Sequence, residues 1–300
     1  MPPALLFHQM FRHALNRQVE YSFGEEGDTF TTMTPLGNDL LPRVIEVAGA
    51  LGFPGEWAWA VKRFCEFAQP PTFLFRLDEL HRDVSAITLY CRFPSEPDDS
   101  QFHAAIRAAR PFRWNGPAPS RIAHALQLPG PRGIAFRTNR AGNLRTALYF
   151  RSEEHVGPSW NARLTALLTA CQYPEQLATA IDSNLKALYT PGPAGVIGID
   201  SSSDDVPAAV KFDPSNVPLP LAFAFLRKIG VSAPRIAALA KIALGLRAES
   251  VSYVGVKYSQ SGFAGWRLYF SCEPAHHVSP ARANIVTQRN LRPTRRLPHY

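Results

Sequence analysis

The feature that most constrains this 300-residue chain is a short apolar and aromatic segment that recurs five times. The clearest copies are TALYFRSE (146–153), WRLYFSCE (266–273) and ITLYCRFPSE (87–96), and the weaker ones are AAVKFDPS (208–215) and TTMTP (31–35). Spacings of 57, 59, 62 and 58 residues separate the aligned positions Met33, Tyr90, Tyr149, Lys211 and Tyr269. Self-similarity at a near-constant period means that one supersecondary unit is used repeatedly. We therefore expect five structural repeats.

Each repeat follows the same order of local patterns: a strand, a polar turn such as RAGN, the recurring segment as a second strand, and then an apolar helical pattern. The first strands are predicted at 18–23, 72–78, 133–139, 195–200 and 251–259. Helices are predicted at 39–51, 56–68, 100–110, 161–171, 174–189, 219–229 and 233–247. Five such ββα units predict an α+β fold, a ten-stranded antiparallel β-barrel with its helices outside.

Side-chain alternation along the strands predicts which face the helices cover. Leu144, Leu148 and Phe150 share one face of a second strand, whereas Arg145 and Tyr149 share the other. On an open sheet the polar face would simply meet solvent. In a closed sheet of ten strands the same residues would line a solvated cavity. The equal repeats favour closure, so we interpret the polar face as the lining of a lumen.

The lumen face is rich in basic residues, which points to an anionic ligand. The candidate diphosphate-binding residues are Arg76, Arg137, Arg145, Lys211, Lys257 and Arg267. Converging cations repel one another unless an anion neutralises them, and arginine and lysine are usual partners of phosphate oxygens. The chain has no GxxxxGK[ST] loop and no GxGxxG opening a helix, so we expect strand side chains to hold a diphosphate.

Two other residue types on this face fit chemistry at a carbocation. Tyr90, Tyr149 and Tyr269 occupy equivalent positions, where their π faces can stabilise a cation. Glu20 is the inward acid of the first strand and is placed to accept a proton. The simpler interpretations are tyrosines that pack inside a wet barrel and a glutamate that faces solvent.

Composition excludes several classes of protein. With 46% hydrophobic residues the chain can bury a sizeable core, yet no apolar run reaches the roughly 18 residues of a membrane span. The N-terminus lacks a signal-peptide pattern. The cysteines Cys65, Cys91, Cys171 and Cys272 form no CxxC pair, which fits a cytoplasmic location. We expect one barrel domain over residues 1–281.

The net charge of +8 is concentrated at the C-terminus. No acidic residue follows Glu273, and five arginines lie in residues 282–300. We interpret this stretch as a flexible basic tail, and as weak evidence for nucleic-acid binding. The pair His276-His277 lacks a third nearby ligand, so no metal site is assigned.

The repeat and the LYF second strands at 148–150 and 268–270 resemble the ABBA-type aromatic prenyltransferases. GIAFRTNRAGNLR (133–145) and the QVEYS segment around Glu20 most resemble the cyanobactin peptide prenyltransferases. The resemblance implies that Glu20 is the catalytic base and that Arg145 contacts a diphosphate. It also implies carbocation-like transfer of a dimethylallyl or longer group from a prenyl diphosphate, with diphosphate-bound Mg²⁺, to a side chain of a ribosomal, macrocyclic peptide.

The sequence departs from that family at one site and leaves alternatives open. Thr32-Met33-Thr34 stands where the family keeps a basic residue, so one diphosphate contact is expected to be missing or replaced. The DDxxD motif is absent, which argues against terpene-synthase chemistry. The alternatives are a small aromatic acceptor, a non-catalytic anion- or RNA-binding module, and an inactive family member.

Overall fold

The structure, a computed structural model, describes residues 18–24, 27–70, 73–80, 83–93, 97–152, 159–188, 195–202 and 209–272. The predictions for the tail at 282–300 and for His276-His277 lie outside these residues. The side chains of residues 27–35 are likewise outside the description, so the Thr32-Met33-Thr34 departure stays a prediction.

Strands and helices follow one another in hairpins and helix pairs. The strands are β1 (Gln18–Gly24), β2 (Gly27–Leu36), β3 (Phe73–Leu80), β4 (Asp83–Arg92), β5 (Gly133–Asn139), β6 (Leu144–Ser152), β7 (Gly195–Ser202), β8 (Ala209–Asp213), β9 (Ser215–Pro218), β10 (Ser250–Ser259) and β11 (Gly262–Cys272). The helices are α1 (Leu41–Ala50), α2 (Gly55–Ala68), α3 (Asp99–Ala108), α4 (Pro119–Leu126), α5 (Trp160–Ala170), α6 (Leu177–Ala187), α7 (Leu219–Lys228) and α8 (Ala233–Gly245).

The strands close into a ring in which every pairing is antiparallel. Each strand from β1 to β7 pairs with the strand that follows it, β8 pairs with β10, β10 pairs with β11, and β11 pairs with β1. Pro214 separates β8 from β9, and both pair with β10, so they occupy one strand position. The ring therefore has ten positions, which confirms the predicted ten-stranded antiparallel barrel.

The apolar face of the barrel packs against the helices. Phe136 of β5 lies with its ring centroid 4.6 Å from that of Phe64 on α2. The indole Nε1 of Trp57 donates to the carbonyl oxygen of Phe136 at 3.2 Å. All three side chains are fully buried, and burying an aromatic of this size contributes about 1.5–3 kcal/mol. The helix-covered core therefore surrounds the barrel and leaves its polar face inward.

One helix was missed by the sequence prediction, and the topology explains why it must exist. The chain enters and leaves every hairpin at the same end of the barrel, opposite the hairpin turn. A connection along the outer wall therefore has to run to the other end of the barrel and come back, which takes a pair of helices. Helices α1 and α2, α5 and α6, and α7 and α8 form such pairs; α3 is paired with the unpredicted α4. With eight residues, α4 spans about two turns, too short for apolar periodicity to identify it. The described repeats followed by helices are thus ββαα rather than ββα.

No helix among the described residues is long and apolar enough to span a membrane.

Candidate active site

The predicted site residues lie on the concave face of the barrel. Several contacts join side chains from strands that are separated by a third strand, and curvature of the sheet toward this face shortens the distance between such side chains. Arg76 of β3 reaches Glu20 of β1, and Lys211 of β8 reaches Tyr269 of β11. The register places the remaining candidates on the same face: Tyr90, Arg137, Arg145, Tyr149, Lys257 and Arg267.

The first charged cluster joins β1, β3 and β5. Arg76 Nε lies 2.6 Å from Asp78 Oδ1, and its Nη1 lies 3.6 Å from Glu20 Oε1. The other oxygen of Asp78, Oδ2, lies 3.3 Å from Arg137 Nη2. Glu20, Arg76 and Asp78 are all buried, whereas the Arg137 side chain is 47% exposed. Burial disfavours the charged form of Arg76, yet Asp78 above all holds its pKa well above the usual value.

The second cluster joins β7, β8, β10 and β11. Lys211 Nζ lies 3.0 Å from Asp213 Oδ2, and it donates to the hydroxyl of Tyr269 at 2.9 Å. Lys257 of β10 lies directly opposite Lys211 in the strand register. The Nζ atom of Lys257 lies 2.8 Å from Asp200 Oδ2. Burial opposes ionisation of Asp200, but the Lys257 ammonium outweighs it and lowers the pKa of that carboxyl. Burial instead raises the pKa of Asp213, despite its contact with Lys211.

These pairs correct one part of the sequence interpretation. The basic residues are not all free to bind an external anion, because lumen carboxylates already neutralise several of them. Glu20 and Asp78 pair with Arg76, and Asp78 also pairs with Arg137. Asp200 pairs with Lys257, and Asp213 pairs with Lys211. Asp213 was missed altogether. A signal for it existed, since Asp213 follows Lys211 by two residues in one strand and therefore faces the same side.

Arg145 differs from the other lumen cations. It is exposed, and the structure shows no ion pair for it within the described residues. Its direct cross-strand partner is another cation, Arg137, and like charges in that position destabilise a sheet. Both lie beside the β5–β6 turn, at the barrel end that holds all the hairpin turns, which we call the hairpin end. Arg267 instead donates from Nη1 to Ser22 Oγ at 3.0 Å. An anion entering at the hairpin end would meet Arg145 first.

The lumen tyrosines form two ring pairs. The ring centroids of Tyr90 and Tyr149 lie 5.5 Å apart, and those of Tyr253 and Tyr269 lie 6.4 Å apart, edge to face. Tyr253 was not predicted, although its parity in 251–259 matches that of Lys257. Burial raises the pKa of Tyr149 and of Tyr253 above the usual phenol value. These two phenols therefore stay neutral at physiological pH and present unionised rings to the lumen.

Glu20 has a carboxylate that can accept a proton, and the pKa of this carboxyl is raised. The residue is only 4% exposed, and burial raises the pKa of its carboxyl, while Arg76 and Lys211 oppose that shift. Its Oε1 accepts no hydrogen bond from any described residue. A buried carboxylate with an unused acceptor atom is well suited to take a proton from a bound molecule.

Two strand glycines make room for lumen side chains. A Cβ at Gly255 would lie 2.9 Å from Asp213 Oδ1 and 3.1 Å from Lys211 Cε, so the absence of a side chain lets that ion pair fill the space. A Cβ at Gly198 would lie 3.3 Å from Cε1 of Tyr149. At these positions, glycine serves the packing of the charged and aromatic lining.

The described residues do not suit a protein-held metal ion. They include no group of three or more histidine, cysteine, aspartate or glutamate residues that could bind one. The lumen carboxylates are each engaged by arginine or lysine, as the ion pairs above describe. The predicted Mg²⁺ would therefore have to depend on diphosphate oxygens, and it stays a prediction.

Comparisons with known proteins agree on the fold. No family model and no curated protein sequence matches the chain. Among solved structures, the 5-dimethylallyltryptophan synthase of Streptomyces coelicolor matches with a TM-score of 0.64 at 13% identity, covering 92% of this chain and 93% of that one. The 6-dimethylallyltryptophan synthase of Micromonospora olivasterospora, in complex with DMASPP and Trp, matches at 0.60 and 12% identity, covering 86% and 82%.

A third solved structure, NotF in complex with brevianamide F and DMSPP, matches with a TM-score of 0.63 at 12% identity, covering 90% of this chain and 88% of that one. These similarities confirm the predicted ABBA barrel. The finer resemblance to the cyanobactin peptide prenyltransferases stays a prediction.

Proposed function

We propose that this protein transfers a prenyl group from an isoprenyl diphosphate to an aromatic acceptor held inside the barrel. The observation that carries the proposal is Glu20, a buried carboxylate with a raised pKa and an unused acceptor oxygen. It faces the same lumen as the tyrosine rings and Arg145. Its Oε1 accepts no hydrogen bond from a described residue and is therefore available to a proton of the acceptor.

The donor diphosphate is placed at the hairpin end. Arg145 is the primary contact, because it is exposed and carries no ion pair among the described residues. Arg137 lies directly opposite it and shares only one oxygen of Asp78. Two guanidinium groups on neighbouring strands can bind several diphosphate oxygens at once. Lys257 and Arg267 line the lumen further around the ring and complete the cationic surface.

The tyrosine rings enclose the reacting carbon. As the C–O bond of the donor breaks, the diphosphate leaves with the electron pair and positive charge develops on the allylic group. The π faces of Tyr90, Tyr149 and Tyr253 stabilise that charge and keep water from it. Tyr269 lines the same space, but the Lys211 ammonium lies over its ring, 5.0 Å from the centroid. Water exclusion matters because hydrolysis of the cation is the competing reaction.

Glu20 completes the reaction. An aromatic carbon of the acceptor forms the new C–C bond to the allylic carbon, and the proton it carried passes to the Glu20 carboxylate. Because burial raises the pKa of this carboxyl, it holds the proton more tightly than an exposed glutamate would. Arg76, anchored by Asp78, fixes the position of the base.

A small aromatic acceptor is the preferred assignment. Two of the similar structures are named as dimethylallyltryptophan synthases, and one of these holds Trp together with its donor analogue. A ribosomal peptide acceptor, expected from the sequence resemblance, remains the second candidate.

The proposal is tested with dimethylallyl diphosphate and free tryptophan, using mass spectrometry of the product. Glu20→Gln is expected to lower kcat by about 10²–10⁴-fold while still binding the donor, because it removes only the general base. Arg145→Ala is expected to weaken binding of dimethylallyl thiodiphosphate, measured by calorimetry, by about 10- to 100-fold, since it removes charge-assisted hydrogen bonds.

Arg151→Ala is the matched control for Arg145. Arg151 is an exposed arginine on the same strand and face, six residues away toward the other end of the barrel. It is expected to leave donor binding unchanged. A folded wild-type protein that binds neither dimethylallyl nor geranyl thiodiphosphate, with or without Mg²⁺, would contradict the proposal and favour a binding module for another anion.

A further inference from the structure

A cleft of about 940 Å³ lies on the outer surface of the barrel, between the start of α2, the end of α3 and the loop that follows α3. We propose that this cleft docks an acidic peptide segment attached to the acceptor. The docking itself is independent of the reaction in the lumen, whereas the assignment of the segment to the acceptor rests on the proposed function with its second candidate, a peptide acceptor.

The charge of the cleft selects an anionic partner. Arg107, Arg110 and Arg113 line it and are exposed, and none of the three forms an ion pair with another described residue. Glu56 is the single acidic residue among the described residues that line it. Three guanidinium groups converging on one cavity provide bidentate sites for carboxylates. Aspartate or glutamate side chains of a partner fit this arrangement.

The cleft also offers an aromatic surface. Trp59, which lines the cleft, is 53% exposed, and the buried residues Phe112 and Trp114 line it as well. Exposed tryptophan beside arginine is the composition typical of energetically important positions in protein interfaces. An apolar side chain of the partner would cover Trp59, so the expected segment combines acidic residues with an apolar anchor.

These features favour a peptide over a nucleic acid. Single-stranded nucleic acids need a continuous cationic track that follows many phosphates. Here the arginines line a single cleft, and the carboxylate of Glu56 lines it with them. A short peptide with one apolar anchor matches the size and the mixed character of the site.

The cleft lies close to the hairpin end of the barrel. Gly55 lines the cleft, and the preceding Pro54 packs against the β5–β6 turn, where a Cβ at Gly142 would lie 3.7 Å from Pro54 Cγ. Arg137 and Arg145 flank that same turn on the inner face. A chain bound in the cleft therefore needs to pass only one hairpin turn to deliver its aromatic group into the lumen.

Docking is tested by fluorescence anisotropy with a labelled synthetic peptide that contains glutamate, aspartate and one leucine. We expect saturable binding that is absent for a peptide of the same length with lysine in place of the acids. Equal or tighter binding of oligothymidylate, complete displacement by inorganic phosphate, or no binding of the acidic peptide would each overturn the docking proposal.

Variants locate the binding to the cleft. Arg107→Ala/Arg110→Ala/Arg113→Ala is expected to weaken peptide binding at least about tenfold, as is Trp59→Ala. The matched controls are Arg227→Ala, an exposed arginine on α7, and Phe67→Ala, which is 54% exposed on the same helix as Trp59 but does not line the cleft. Thermal unfolding verifies that each variant is folded. Equal losses in variants and controls would overturn the assignment of the site.

A kinetic comparison tests whether the segment belongs to the acceptor. Tryptophan extended by the acidic peptide is expected to show a KM at least about tenfold below that of free tryptophan, with kcat unchanged, because docking adds binding energy remote from the reacting carbon. The advantage should vanish in the triple arginine variant. Equal KM values for both acceptors overturn the acceptor assignment alone. Absence of transfer to either acceptor overturns the proposed function, while the anisotropy result decides the docking separately.

Discussion

Replacing Lys211 by methionine tests whether the lumen charges hold one another as the distances indicate. The change removes the ammonium 3.0 Å from Asp213 Oδ2 and the hydrogen bond to Tyr269, and it leaves the carboxylate of Asp213 buried without a partner. Removing one member of a buried ion pair costs about 3–5 kcal/mol. The side chains of Lys211 and Asp213 are 21% and 10% exposed, so water screens part of the interaction and the lower value, about 3 kcal/mol, applies.

The expected loss is measurable by thermal and urea unfolding. For a domain of about 300 residues, about 3 kcal/mol corresponds to a decrease in Tm of roughly 5 °C. Lys211→Met/Asp213→Asn is expected to recover most of the loss, because no unpaired charge then remains in the lumen. Lys186→Met is the control: Lys186 lies 2.6 Å from Asp182 but is 54% exposed, and surface pairs of this kind contribute at most about 1 kcal/mol.

Two outcomes would contradict the expected cost of an unpaired charge in the lumen. If Lys211→Met costs no more than Lys186→Met, the lumen pair is screened by water as fully as a surface pair. If the double variant is as unstable as the single one, the loss comes from packing rather than from the stranded charge of Asp213.

Three further predictions concern the same lumen. Because burial raises the pKa of Glu20 above its ordinary value of 4.5, its stabilising contribution is complete below that value and is lost as pH rises through the raised pKa. The stability of Glu20→Gln relative to wild type, measured in urea, should therefore increase as pH rises from 4.5, and no increase would contradict the shift. Asp200 has a lowered pKa, so its contribution is present above the ordinary aspartate pKa and is lost as pH falls through the lowered one; Asp200→Asn should destabilise the protein at pH 6 but lose that effect in acid. Gly255→Ala would place a Cβ 2.9 Å from Asp213 Oδ1 and should cost about 1–3 kcal/mol in thermal unfolding, whereas Gly49→Ala, with nothing within 4 Å in α1, should be neutral or stabilising.

The amino-acid sequence was sufficient to predict the number of strand positions in the barrel, the face of the sheet that lines the lumen, and most of the lining residues. The alternation of strand side chains has a period of two, so once a strand is recognised, each residue is assigned to one face without knowledge of its neighbours. That is why Glu20, Arg145 and Tyr149 could be placed in the lumen from the repeat alone. Asp213 and Tyr253 obey the same rule and were within reach of it.

Which of these residues contact one another depends on the folded barrel and could not be read from the strand pattern. The contacts of Arg76 with Glu20 and of Lys211 with Tyr269 each pass over an intervening strand, so they depend on how strongly the sheet curves and on the stagger between strands. Sequence parity fixes the face of a residue but not its distance from a residue two strands away. The outer cleft is likewise tertiary, because Trp59 of α2 and the arginines of α3 and its following loop are brought together only by packing on the barrel. Local periodicity is a property of neighbouring residues along the chain, whereas charge pairing and cavities depend on the closure of the whole ring.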